Sequence, residues 1–360
     1  MTKKIGILTG GGDCPGLNAV IRAVVKTAIG KYAWEVVGFR DGYYGLVNND
    51  SIPLKSNNVS GILDRGGTIL GTSNRDNPFH FKVAKNGSFT YADMSDHVIE
   101  NLKNNGIDYL VIIGGDGTLS SARDFANKGV KVIGVPKTID NDLSATDLTF
   151  GFMTAVDTAT DAIDKLHTTA ESHHRIMILE VMGRYAGWIA LQSGVAGGAD
   201  VILIPEIPYD LNRVAQKIIE RKNSGKSFSI VVVAEGAKPK DGQFVVSKMV
   251  DSPDPIRLGG IGQKLGEDLE KLAGIETRVT VLGHLQRGGP PSAFDRILST
   301  RYGAAAIELI HQEQSGLMVS LHGSQITSVP LAEAVGKLKT VPAAGELVYF
   351  AKNIGTSFGD

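Results

Sequence analysis

Pro136-Lys137-Thr138-Ile139-Asp140-Asn141-Asp142 is the stretch from which the fold class of this chain is read. It follows the apolar run Val130–Val135, which reads as a buried strand leaving a sheet. Proline has no N–H to give to a ladder, so Pro136 is predicted to stop the pairing and turn the chain outward at the strand's carboxyl end. In an open α/β sheet that edge is where ligands bind. The turn delivers two carboxylates two residues apart, a lysine and a hydroxyl. Turn-forming preference explains an Asn and one Asp; it does not explain the whole set.

The same grammar repeats on both sides of this segment. Ile5–Thr9 leads into Gly10–Gly16 and then a helical pattern over Leu17–Ile29. Tyr109–Ile113 leads into Gly114–Gly117, then Leu119–Asn127. Phe152–His167 reads as a helix. Ile176–Val181 is followed by Met182-Gly183-Arg184 and Trp188–Val195, Val201–Ile204 by Leu211–Arg221, and Ser229–Ala234 by Glu235-Gly236. Strands alternating with helices predict βαβ units and a mostly parallel sheet. A hairpin is predicted around Asn86-Gly87, and the tail after Ser315 shows few groups of chemical interest.

With 360 residues the chain is long for one core, and two domains are expected, with a boundary near residue 150. The first is predicted to hold 1–150 and part of about 288–315, the second 151–287 and the tail 316–360. The 44 glycines exceed the roughly 7% average and gather at strand ends, where loops that cradle phosphate need them. A net charge of −1 with interspersed signs argues against a nucleic-acid or anionic-membrane surface. The single cysteine, Cys14, excludes an internal disulfide framework and suits a reducing compartment. The first residues do not form a signal peptide, and no apolar run approaches membrane-spanning length. The expectation is a soluble cytoplasmic α/β protein.

Gly10-Gly11-Gly12-Asp13-Cys14-Pro15-Gly16 joins a strand to a helix, where backbone amides and the helix dipole suit a phosphate. A tight turn for close helix–strand packing explains it equally well when taken alone. Pro15 spoils the dinucleotide fingerprint, and the Gly225–Ser227 string has Glu220 where a Walker loop needs glycine. Cys14 reads as a small packed residue. Gly114-Gly115-Asp116-Gly117-Thr118 repeats the arrangement, and Asp116 offers a hard oxygen ligand beside it. Mg²⁺ needs little more, since it takes one or two carboxylates plus substrate phosphates. Arg175, Arg184 and the run from Arg278 through His284-Leu285-Gln286-Arg287 concentrate positive charge with no matching acidic run, which points to an anionic substrate. His173-His174 has no third ligand at suitable spacing and reads as polar packing.

Gly11-Gly12-Asp13, Gly67–Gly71, Gly114–Thr118, Thr138–Asp142, Met182–Arg184 and Glu276–Gly289, in this order over residues 1–310, resemble the phosphofructokinase family. The resemblance implies two doubly wound, mostly parallel-sheet domains with the active site in the cleft between them. It implies phosphorylation of fructose 6-phosphate at its 1-hydroxyl, with Mg²⁺ and ATP. Asp140 would be the base, Asp116 the Mg²⁺ ligand, Asp142 its support, and Arg184 a stabiliser of the transferring group. Gly11, Gly12, Arg75 and Gly115, Asp116, Gly117 and Thr118 would line the donor site. Thr138, Ile139, Met182, Gly183 and Glu235 would hold the sugar. Arg175, Arg278, His284, Leu285, Gln286 and Arg287 would form the 6-phosphate end. The family's counterparts of Arg175 and Arg278 come from a neighbouring subunit, implying a dimer or tetramer with a shared site. Gly117 and Lys137 stand at the two donor-selecting positions: glycine favours ATP, lysine is the residue of pyrophosphate enzymes, and the combination resembles a mainly ATP-using branch. The alternatives are a pyrophosphate-dependent enzyme, a lipid or dinucleotide kinase suggested by Gly114–Thr118 alone, and a catalytically silent sugar-phosphate sensor.

The family's nucleotide effector site uses basic residues including an arginine near the position of His167 and another near Lys26; Arg22 persists, but His167 and Lys26 weaken that site. We expect the allosteric response to ADP or phosphoenolpyruvate to be reduced or absent. A clear shift of the saturation curve with either compound would overturn this.

Overall fold

The computed structural model describes residues 2–85, 88–240, 242, 246–249 and 256–360. The chain opens with β1 (Lys4–Thr9), α1 (Leu17–Tyr32), β2 (Glu35–Phe39), α2 (Tyr43–Asn48) and β3 (Ser51–Pro53). Next come β4 (Phe81–Lys85), β5 (Ser88–Ala92), α3 (Ser95–Asn104), β6 (Tyr109–Gly114), α4 (Asp116–Asn127) and β7 (Val132–Pro136). The middle holds α5 (Phe152–His173), β8 (Ile176–Val181), α6 (Trp188–Ala196), β9 (Val201–Leu203), α7 (Leu211–Asn223) and β10 (Ser229–Ala234). The rest comprises β11 (Val246–Met249), β12 (Ile256–Leu258), α8 (Ile261–Ala273), β13 (Thr277–Val281), α9 (Ala293–His311), β14 (Leu317–His322), β15 (Gln325–Pro330), α10 (Leu331–Ala334) and α11 (Glu346–Asn353).

Two compact units result. Unit 1 comprises Met1–Thr138, Leu143–Gly151 and Arg287–Lys337; unit 2 comprises Ile139–Asp142, Phe152–Gln286 and Leu338–Asp360. Unit 1 carries a seven-stranded sheet of order β15-β14-β7-β6-β1-β2-β3. Its interior pairs are parallel, and β15 and β3 close the edges antiparallel. Unit 2 carries the parallel sheet β13-β8-β10-β9. The strands β6, β8 and β10 are buried along their whole length, as expected of parallel strands covered on both faces.

Each unit has its own core. In unit 1, Leu8, Phe39, Leu110, Ile112, Leu119, Phe125 and Met318 are among the packed side chains. In unit 2, Ile176, Ile178, Val231, Val233, Leu265 and Leu269 are. The helices α1 and α9 approach closely in unit 1, because a Cβ on Gly303 would lie 2.7 Å from the Val20 carbonyl oxygen.

Four expectations need correction. The tail was expected in the second domain, but β14 pairs with β7, so residues 316–337 belong to unit 1. The acidic turn Ile139–Asp142 lies before residue 150 yet groups with unit 2. The helix expected from Leu119 begins at Asp116, so Asp116, Gly117 and Thr118 form its first turn rather than a loop. Pro136 does not end the ladder: it pairs with Gly114, and the Lys137 N–H donates to the Gly114 carbonyl at 2.9 Å. Alternate residues of a strand face opposite neighbours, so the N–H that Pro136 lacks would point toward β14, whose pairing with β7 has stopped at Gly134. The strands β4 and β5 pair antiparallel as a hairpin requires, while its predicted turn, Asn86-Gly87, lies outside the described residues. No helix among the described residues is long and apolar enough to cross a membrane.

Cys14 is fully buried beside the Phe150 carbonyl, and burial pushes its thiol up to about 12. The thiolate is the reactive species, so we expect no reaction of the folded protein with a disulfide thiol reagent at pH 8. One thiol should be released after unfolding, and rapid labelling of the native chain would contradict the packing assigned to Cys14.

Candidate active site

In unit 1 three loops leave the sheet side by side, because the parallel ladders end in register: Thr9 pairs with Ile113, and Gly114 with Pro136. The Gly10 and Gly114 positions are crowded by one side chain. A Cβ on Gly10 would lie 2.7 Å from Thr118 Cγ2, and one on Gly114 would lie 2.3 Å from Thr118 Cβ. Both glycines are therefore needed where α4 begins.

The first glycine loop is partly spent on the protein itself. The Gly10 N–H donates to the Ile113 carbonyl and the Gly11 N–H to the Ser73 carbonyl, each at 2.9 Å. Thr72 Oγ1 donates to the Gly11 carbonyl at 2.7 Å. These bonds bring the segment carrying Arg75 against Gly11, with Arg75 exposed. Gly11 adopts φ +79°, a left-handed conformation suited to glycine. Lys137 is buried, and its Nζ donates to the Gly12 carbonyl. Arg287, the last residue of the sugar-phosphate run, groups with unit 1, where a guanidinium N–H donates to the Asp13 carbonyl at 3.2 Å.

Asp116 and Thr118 are half-buried and Gly117 exposed at the N-terminus of α4. Nothing lies within 4 Å of a Cβ built on Gly117. Asp116 Oδ1 accepts the Gly336 N–H at 2.7 Å. Among the described residues no cluster of three or more His, Cys, Asp or Glu could hold a metal. A helix N-terminus attracts phosphate, and one hard carboxylate beside it fits a cation shared with that phosphate, as Mg²⁺ sites usually are. Thr138, also in unit 1, accepts at its carbonyl the Thr149 hydroxyl at 2.7 Å.

In unit 2 the sheet again ends in register: Val181 pairs with Ala234, and Glu180 with Val281. Met182, Glu235 and the loop carrying His284 therefore share the carboxyl edge. The Glu235 N–H donates to the Val181 carbonyl at 2.9 Å, and the Gly236 N–H to the Gly183 carbonyl at 3.1 Å. A Cβ on Gly236 would sit 1.9 Å from the Arg184 carbonyl oxygen, so this glycine, not singled out for itself in the sequence, allows the two loops to touch. Arg184 lies over the Tyr185 ring. His284 and Leu285 are exposed. Gln286 is fully buried: its Oε1 accepts the Met182 N–H at 3.2 Å and its Nε2 donates to the Gly283 carbonyl at 3.1 Å. Those bonds make Gln286 a brace for the loop, a role the sequence motif did not distinguish from ligand contact.

Of the acidic turn, Ile139 and Asn141 are buried while Asp140 and Asp142 are half-buried. Asn141 takes φ +50°, a left-handed conformation that Asn tolerates better than most residues. Arg175 and Arg278 lie elsewhere in unit 2, at the amino ends of β8 and β13. Both bind one carboxylate that the sequence analysis overlooked. Arg175 Nε donates to Glu276 Oε2 at 2.6 Å, and Arg278 donates to Oε1. The hydrogen bond from Arg175 holds the Glu276 carboxyl below its ordinary range. His167 is also committed, its Nε2 donating to the Gly197 carbonyl at 2.7 Å and its ring meeting Phe228 edge-on.

Comparison with known proteins gives one consistent answer. The family model "Phosphofructokinase" matches residues 4–310. The ATP-dependent 6-phosphofructokinase 2 of Clostridium perfringens is 64% identical over 99% of both chains. The pyrophosphate–fructose 6-phosphate 1-phosphotransferase of Streptomyces coelicolor is 51% identical over 99% of this chain and 100% of its own. The structure of phosphofructokinase from Saccharomyces cerevisiae superposes with a TM-score of 0.79 at 31% identity over 92% of this chain, which spans only 45% of that yeast chain. With the family model matching residues 4–310 and a relative 64% identical over nearly its whole length, the chain belongs to the phosphofructokinase family.

Proposed function

We propose that this chain transfers the γ-phosphoryl group of ATP to the 1-hydroxyl of fructose 6-phosphate, forming fructose 1,6-bisphosphate and ADP, a glycolytic step suited to the cytoplasm. The observation that carries the reading is the in-register ending of β1, β6 and β7, which gathers two glycine loops and Thr138 at one sheet edge. Nucleotide rather than pyrophosphate as donor is supported by the open space at Gly117. It is also supported by the higher identity to a relative named ATP-dependent than to the one named for pyrophosphate. Lys137 fits this donor because its ammonium group braces the Gly12 carbonyl within the same loop.

Asp140 accepts the proton of the 1-hydroxyl as the oxygen attacks the γ-phosphorus and the β–γ bridging oxygen departs with ADP. A carboxylate is a weak base. The loose transition state of phosphoryl transfer tolerates that, because it depends on alignment and charge neutralisation more than on proton removal. Asp116, with Asp142 in support, would hold Mg²⁺, which when bound would supply charge neutralisation on the donor phosphates. Arg184 supplies a further positive charge to the transferring group, and Met182, Gly183, Glu235, Thr138 and Ile139 shape the sugar site. His284 and Leu285 belong to its 6-phosphate end. Arg287, bonded to the Asp13 carbonyl, belongs with them as the last residue of that run.

Arg175 and Arg278 stand one strand length from Met182, six residues at about 3.3 Å each. That separation supports their acting on the 6-phosphate of a neighbouring copy in a homo-oligomer, with the site shared between subunits.

The assay is fructose 1,6-bisphosphate formation from fructose 6-phosphate and Mg²⁺, with ATP and pyrophosphate in parallel. We expect turnover with ATP, reduced by about 10²–10⁴ in Asp140→Ala with little change in the affinity for fructose 6-phosphate. Turnover with pyrophosphate alone, or an active Asp140→Ala variant, would refute the reading. Site sharing has its own test. Asp140→Ala and Arg278→Ala should each be poorly active, and dissociating and reassembling them together should restore activity in mixed oligomers. Failure of the reassembled mixture to exceed either parent would place Arg278 outside a shared site.

A further inference from the structure

The family model ends at residue 310, yet a short piece of chain well beyond it holds the acidic turn. In unit 2, the Lys339 backbone N–H donates to the Asp142 carbonyl at 2.8 Å. Its Nζ donates to Asn141 Oδ1 at 2.9 Å, and its carbonyl accepts the Trp188 indole N–H at 2.8 Å. The ammonium group lies 6.0 Å from the centre of the Trp188 ring. Two residues on, the Val341 N–H donates to Glu206 Oε1 at 2.7 Å, and the same carboxylate accepts the Gly187 N–H at 3.0 and 3.2 Å.

These bonds join two loops that the local sequence keeps apart. Gly187 caps and Trp188 opens α6, with only Tyr185 and Ala186 between them and Met182-Gly183-Arg184, and Asn141 is the central residue of Asp140-Asn141-Asp142. Asn141 is 3% exposed and left-handed. Its side-chain oxygen is therefore met by an ammonium donor, one of the stronger kinds of hydrogen bond. A left-handed non-glycine residue persists only where its surroundings hold it. The direction of the Asp140 side chain follows from the backbone beside it.

We infer that Lys339 is a positioning residue for the transfer reaction: it fixes the left-handed Asn141, and through it the aim of Asp140, while its backbone ties that turn to the start of α6. The inference rests on the proposed role of Asp140. Lys339 touches no reacting atom, so its loss acts on alignment rather than on substrate binding.

Lys339→Met keeps the stem and removes the donor. We expect kcat to fall about tenfold, because small misalignments of reacting groups are costly, with KM for fructose 6-phosphate almost unchanged. Lys339→Arg, which restores a cationic donor, should recover most of the loss. Hydrogen exchange of the substrate-free protein should quicken at residues 139–142 in Lys339→Met and remain as in the wild type along β8. Should Lys339→Met fail to fold, Asn141→Gly carries the test, since glycine adopts the left-handed turn without a prop: exchanging Lys339 for Gln in that background should cost no further kcat. Unchanged kcat with unchanged exchange would overturn the inference, as would a rise in KM at constant kcat. A wild-type protein without kinase activity would sink the functional reading instead, and the exchange measurement would still report whether Lys339 holds the turn.

Discussion

Parallel strands that end in register are the constraint on which the chemistry of this chain depends. A parallel ladder sends every strand in one direction, so all carboxyl ends reach one edge of the sheet and the connections to the next helices must start there. In unit 1 this aligns the exits of β1, β6 and β7; in unit 2 it aligns those of β8, β10 and β13. Once loops emerge so close together, bulk becomes the next limit. Thr118 fills the space beside Gly10 and Gly114, and the Arg184 carbonyl fills that beside Gly236. Carbon atoms in contact normally sit about 3.5–4.0 Å apart, so a side chain at any of these glycines would push a loop out of line. The glycine richness of the chain is thus a consequence of edge crowding as well as of phosphate approach.

What could be read from the sequence was local. Ile5–Thr9, Ile176–Val181 and Ser229–Ala234 announce themselves as apolar runs bounded by glycine or acid, and they are strands at those residues. The motif strings likewise located Gly11, Asp116, Met182 and Glu235 at strand ends or helix starts. Pairing between distant segments left no comparable mark. Leu317–His322 carries no signal that it will add to β7, and the Pro136 pairing depends on where β14 stops. Roles within a motif were equally hidden. His284 and Gln286 are two residues apart, but one is exposed and the other spends both ends of its amide inside the protein. The sequence analysis gave Glu276 and Lys339 no role of their own, and only their partners in space give them one.

Two carboxylates of unit 2 sit in opposite surroundings. Glu276 is exposed and shared by two arginines, which leaves the trio with one net positive charge. Ion pairs open to water contribute little to folding, so the fold does not rely on this contact. Glu206 represents the opposite case: burial raises its carboxyl above the ordinary range, and backbone N–H groups from two segments offset part of that cost.

The division of the chain also bears on the order in which it can fold. All four strands of the unit 2 sheet lie within Phe152–Gln286, an uninterrupted stretch that can pair as soon as it has been made. The unit 1 sheet cannot: Ile133 waits for Leu317, and the helix α9 that packs on α1 comes nearly as late. Closing so long a loop is slow because its entropy is lost before the contacts form. Although chains usually acquire structure from the amino end during synthesis, here the half containing the first residue is the one left open longer. Until β14 arrives, β7 presents an unpaired apolar edge, and a chaperone or a second nascent chain could find it there.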